Sequence, residues 1–193
     1  MKWVKVLMVV VAVIGVVVPL AQASSIIISL PPTITPIGGG VFTWTYTASM
    51  ADARLLPGDF LVVYDFAQFV GFPALPPLPL GWAAGVQLVG PIPGQTTPVD
   101  NAGILNLVFT YGGIPLATAP PPPGGSLFLG VFSANSMGNI RITGEYAAQD
   151  ANWVDLSLQA NLGYTSVPAI PLPAAGWAGL SLLGVLGLRR RSR

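Results

Sequence analysis

Cysteine and histidine are both absent from the 193 residues, and charged side chains make up only 8% of them. Without Cys there is no thiol nucleophile and no disulfide; without His there is no Ser-His-Asp triad and no Cys/His zinc site. Soluble domains carry about 25% charged residues, so a chain this poor in charge points toward export or lipid. Disulfides are common outside the cell, but a domain of this size folds without them, so their absence is compatible with export.

Positive charge is scarce in the middle of the chain. Lys2 and Lys5 open the sequence, and Arg189, Arg190, Arg191 and Arg193 close it. Between residues 24 and 172 two cations, Arg54 and Arg141, stand against seven anions, a net charge of −5. The anions are Asp52, Asp59, Asp65, Asp100, Glu145, Asp150 and Asp155. Nucleic-acid binding needs a basic face, so no nucleic-acid partner is expected.

What is present is concentrated at the two ends. Behind Lys2 and Lys5 lies an unbroken apolar stretch, residues 6–18, which Pro19 interrupts before Ala21-Gln22-Ala23. A short positive region, an apolar core too short to span and a small-x-small site make up a secretory signal peptide. Residues 1–23 are therefore expected to be removed after Ala23, with Ala21 and Ala23 forming the cleavage site and Ser24 starting the mature chain.

Residues 167–193 form a second address. Prolines 168, 171 and 173 keep its first part extended. Residues 174–188 are uncharged and Pro-free but reach only about 22 Å as a helix, against roughly 30 Å of hydrocarbon. Four glycines (176, 179, 184 and 187) weaken the segment further. The arginine cluster behind it is expected on the cytoplasmic side, while the signal peptide sends Ser24 outward. Both ends thus place the middle beyond the inner membrane of a Gram-negative-type bacterium.

A Pro-containing motif, one apolar helix and a terminal Arg cluster, in that order, resemble the PEP-CTERM class of bacterial sorting signals. Ile170, Pro171, Leu172, Pro173, Ala174, Ala175, Gly176 and Trp177 are similar to its VPLPA variant. Ile170 stands where that variant usually has Val, and the Glu of the commoner Pro-Glu-Pro motif is missing. The resemblance implies cleavage near the motif by an exosortase, a membrane cysteine transpeptidase-like enzyme. It also implies delivery to the cell surface or exopolysaccharide matrix. The expected partners are then the export machinery, signal peptidase, the exosortase, the inner membrane at least transiently, and exopolysaccharide. The alternative is a permanent tail anchor.

Residues 24–166 read as β throughout. Phe42, Trp44 and Tyr46 alternate strictly with Thr43, Thr45 and Thr47, the pattern of a strand with one buried face. Residues 60–66 follow a Pro57-Gly58-Asp59 turn signal. Further strands are expected over 25–30, 104–111, 127–133, 139–147 and 153–160, the last with Val154, Leu156 and Leu158 on one side. Proline-rich stretches at 72–80, 91–98 and 119–125 read as extended surface loops. About seven to nine short strands between Pro/Gly turns predict an all-β fold, a single antiparallel β-sandwich or jelly-roll-like domain.

No catalytic residues and no cofactor are expected. Asp52, Asp59 and Asp65 are the closest carboxylates in sequence, and three carboxylates could hold calcium or two could serve a glycoside hydrolase. Their spacing lacks the dense ligand loop of an EF-hand, Asp59 belongs to its turn, and Asp52 can pair with Arg54. Trp82 and Trp153 sit in less regular contexts and are candidate sugar contacts, while Glu145 and Asp155 read as a solvated face. Three functions stay open: a structural or adhesive envelope protein, a membrane-anchored carbohydrate- or calcium-binding module, and a secreted carboxylate hydrolase.

Overall fold

A computed structural model describes residues 26–94, 96–116 and 126–170. The signal-peptide residues Ala21 and Ala23, the motif beyond Ile170 and the terminal arginines lie outside them. Among the described residues there is no helix long and apolar enough to cross a membrane. The fold is all-β, and every pairing is antiparallel.

Among the described residues ten strands run in chain order: β1 (Ile27–Gly38), β2 (Val41–Ala51), β3 (Ala53–Arg54), β4 (Phe60–Val63) and β5 (Phe69–Gly71) come first. They are followed by β6 (Trp82–Gln87), β7 (Asn106–Tyr111), β8 (Ser126–Ser136), β9 (Arg141–Asn152) and β10 (Leu158–Pro168). One sheet has the order β1-β2-β8-β5; the other runs β10-β9-β4-β7-β6, with β3 paired to the end of β9. The chain crosses between sheets at Asp52, whose left-handed φ of 53° makes the bend between β2 and β3. Asp is one of the few non-glycine residues that adopts this conformation readily.

The two sheets share one core, which fits the expected sandwich. Trp44, Tyr46, Ala48 and Met50 point inward from β2, Phe132 and Ala134 from β8, Leu61 and Val63 from β4, and Leu107 and Phe109 from β7. Eight rings form a continuous edge-to-face chain through it: Trp44–Phe66–Phe69–Phe72–Phe109–Phe132–Trp82–Tyr111. The Phe109–Phe132 and Trp82–Phe132 contacts, with centroids 5.0 and 4.9 Å apart, join the two sheets. Each such pair adds about 0.5–1.5 kcal/mol beyond the area it buries. The expected buried face of Phe42, Trp44 and Tyr46 is present, with Phe42 half-buried at the rim.

Several strand expectations differ from the structure: β1 runs on to Gly38 and β9 to Asn152, β5 and β6 lie where no strand is expected, and two further differences have a local cause. Residues 153–157 are the turn of the β9–β10 hairpin, not a strand, and β10 begins only at Leu158. The alternation of Val154, Leu156 and Leu158 is a coincidence of the turn. Val154 is 87% exposed, Leu156 has a φ of 59°, and the Asp155 carboxylate accepts the Ser157 amide at 3.0 Å. The second difference is the run 60–66, which carries two functions. β4 ends at Val63, and Tyr64 to Phe66 turn away to begin the functional region described next.

Candidate functional site

β4 lies in the middle of the six-stranded sheet, and its sequence is an unbroken apolar run rather than an alternation, the pattern of a strand covered on both faces. Leu61 and Val63 enter the main core. Val62 and Tyr64 point the other way and form a second cluster with Val108 of β7 and Ala147 of β9. The strand register aligns Leu162, Ala147, Val62, Val108 and Gly85 in one row across five strands of this outer face.

The cover over that row is the long β6–β7 connection, residues 88–94 and 96–105. Gly90 lies directly on it: a Cβ there would stand 2.7 Å from Tyr64 Cε1 and 3.2 Å from Val62 Cγ1, so only glycine allows this approach. The Tyr64 hydroxyl donates to the Pro91 carbonyl at 2.7 Å. Internal turns shape the strap, with Thr96 N donating to Pro93 O and Ile104 N to Asn101 O.

Carboxylates fasten the strap to the sheet. Asp65 Oδ1 accepts the Asn101 amide at 2.9 Å, and Glu145 Oε2 of β9 accepts the Val99 amide at 2.7 Å. Asp100, on the strap itself, accepts the Gly90 amide through Oδ2 at 3.0 Å and the Asn106 side-chain amide through Oδ1 at 2.9 Å. Asn106 is fully buried and completes the tie by accepting the Asp65 amide at 2.8 Å. Burial raises the Asp65 pKa above the usual carboxylate value; the Asn101 amide opposes this, and the neighbouring Asp100 and Glu145 charges add to it. Burial and the same two charges also push the Tyr64 hydroxyl well up.

Asp59, at the other end of β4, does a different job. Its carboxylate accepts the Leu56 amide at 2.6 Å and closes the Pro57-Gly58 turn, as the sequence indicates. It is 2% exposed. Burial pushes its pKa up to about 6, with the Leu56 amide opposing and the Asp150 charge assisting. Neither Asp59 nor Asp150 is open to solvent, so this pair offers no place for a sugar.

The structure therefore does not gather Asp52, Asp59 and Asp65. Asp52 is exposed at the sheet-to-sheet bend, and β4 separates Asp59 from Asp65 by roughly 20 Å at ~3.3 Å per residue. Among the described residues no group of three or more acidic side chains is arranged to hold a metal ion. Glu145, read from sequence as solvated, is half-buried under the strap. Asp155 is exposed, and its bonds to Ser157 hold its pKa below the usual carboxylate value.

The two candidate tryptophans are also accounted for. Trp82 is 9% exposed and belongs to the core, packed on Tyr111 and Phe132. Trp153 is half-buried, and the Arg54 guanidinium lies over its ring at 4.1 Å from the centroid. One ring face is thus occupied by a cation–π contact. Sequence reasoning missed Asp100, Asn106 and Tyr64 because their partners lie on other strands or across the strap. No protein-family model matches the chain, and no curated protein matches it.

Proposed function

We propose that this chain is an exported cell-surface or exopolysaccharide-matrix protein, a β-sandwich body with a structural or adhesive role, sorted at its C-terminus by an exosortase. The observation that carries this reading is the tail: the Pro motif from Ile170, the apolar segment 174–188 and the cluster Arg189, Arg190, Arg191 and Arg193, in fixed order. The N-terminal signal with its Ala21-Gln22-Ala23 site supports the same topology.

The body is consistent with such a role. Its acidic side chains at the strap and at the Leu56–Asp59 turn are engaged with backbone amides. Ile170, just past the last described strand, is 55% exposed, which is compatible with processing near the motif. Trp82 in the core leaves the sugar-binding reading with Trp153 alone, and the burial of Asp59 and its separation from Asp65 weigh against a carboxylate pair for the hydrolase reading.

The test is a localisation experiment in the native host. The full chain is expected in the surface or matrix fraction, and a chain ending at residue 170 is expected in the soluble exported fraction. Equal distribution of the two would contradict the proposal.

A further inference from the structure

The strand register gathers three segments at the end of the sandwich where β10 finishes. Pro36 pairs with Phe42 and Phe42 with Ser136, so the β1–β2 turn lies near the start of the β8–β9 connection. Arg141 pairs with Pro168, and the Ala169 amide donates to the Ile140 carbonyl at 2.8 Å, so that connection also lies beside the end of β10. Gln68 ties the corner: its side-chain amide donates to the Ala169 carbonyl at 3.0 Å, and its own carbonyl accepts the Met137 amide. The body thus holds the chain up to Ala169, and the Pro motif starts at the next residue. Exposed apolar side chains stand on all three segments: Ile37 at 55%, Met137 at 56%, Ile140 at 68% and Ile170 at 55%. Residues 36–41, 137–140 and 169–170 carry no charge, and the exposed Arg141 follows them, one nitrogen donating to the Pro32 carbonyl. The opposite end differs in sign, with exposed Asp52 at its bend and Asp155 at its hairpin tip.

We propose that this end of the sandwich rests on a phospholipid surface while the tail is inserted, with Ile37, Met137 and Ile140 among the headgroups and Arg141 beside a lipid phosphate. This rests on the reading of residues 174–188 as a membrane segment. Length decides it. From Ile170 to Ala174 the chain advances four residues, which reach about 14 Å at most when fully extended. A headgroup layer of roughly 5–7 Å separates hydrocarbon from water, so Ile170 stands no more than about 9 Å above the lipid surface. Ile140 is tied to the residue before it, and the β1–β2 turn lies within two strand spacings of β8, each about 4.8 Å. Aliphatic side chains held there gain by leaving water, and an arginine beside them keeps its head among the phosphates. The exposed carboxylates of the opposite end are held off by the eleven residues of β10, roughly 33 Å, several screening lengths from anionic lipid.

The absence of cysteine makes the test clean, because one introduced thiol carries a fluorophore at one position. The full chain, still ending at Arg193, is reconstituted into phospholipid vesicles that contain nitroxide lipid labelled near the headgroup. Labels at Met137→Cys and Ile140→Cys are expected to be quenched several-fold more than labels at Leu80→Cys and Val154→Cys. The latter two stand at the opposite end, before β6 and at the hairpin tip, and are more exposed, at 95% and 87%, so exposure alone does not produce the difference. A label at Leu182→Cys, read against nitroxide placed deeper in the acyl chain, reports whether the tail is inserted. Quenching at 182 with equal signals at the two ends of the body would overturn the proposal and leave the membrane tail standing. No quenching at 182 would overturn the proposal together with the reading beneath it. The two labels at 137 and 140 are independent, so the comparison decides even if one variant fails to fold.

Discussion

Thr43, Thr45 and Thr47 line the outer side of β2, whereas Phe60, Val62 and Tyr64 line the outer side of β4 and its extension. Both strands are central in their sheets and both point aromatic or aliphatic side chains into the same core. The difference lies in what faces away. The hydroxyls of β2 meet polar side chains of β8: Thr43 donates to Asn135 at 2.8 Å, and Thr45 lies 3.2 Å from the Ser133 hydroxyl. The apolar groups of β4 meet the strap. An alternating strand thus marks a sheet whose outer face is polar, and an unbroken apolar strand marks a sheet with an apolar cover on both faces.

An exchange of the two patterns tests this most strongly. Val62→Thr places a hydroxyl among the apolar side chains of Tyr64, Val108 and Ala147 and should cost about 2 kcal/mol. Thr47→Val, on the outer side of β2 opposite Val131 and Ser29, should change stability by no more than about 0.5 kcal/mol. Urea unfolding with unchanged slope measures both. Similar costs for the two would remove the distinction between the sheets.

A smaller effect sharpens the contrast between the two ends of β4. Asp59 closes a turn three residues back, while Asp65 holds an amide 36 residues away. The folded pKa of Asp59, about 6, lies above its ordinary value of 3.8. The native state therefore binds the proton more tightly than the unfolded chain. The stabilisation from this group is complete below the ordinary value and is lost as pH rises through about 6. Asp59→Asn keeps an oxygen for the Leu56 amide and should flatten the midpoint of thermal unfolding across that window. A midpoint that falls as steeply in the variant as in the parent would assign the dependence elsewhere.

The same contrast explains what the sequence discloses. The Trp44 and Tyr46 stripe was readable because period two is a local signal, and Asp59 because Pro57-Gly58-Asp59 contains its own partner's turn. The hairpin tip misled because Val154, Leu156 and Leu158 alternate by chance in a turn set by Asp155 and the left-handed Leu156. Trp82 could not be placed, since what buries it is Phe132, fifty positions away on the other sheet. The strap was invisible for the same reason. Asp65, Asp100 and Glu145 become neighbours only when β4, β9 and the β6–β7 connection are brought together, and no spacing in the chain records that.

The central claim concerns the ends of the chain, and the intact mass of the protein recovered from its native host's envelope and medium tests it most directly. A species that starts at Ser24 and ends near Pro171 to Pro173, with or without added mass, is the expected result. A species that still ends at Arg193 would contradict sorting and make this a β domain held permanently at the membrane.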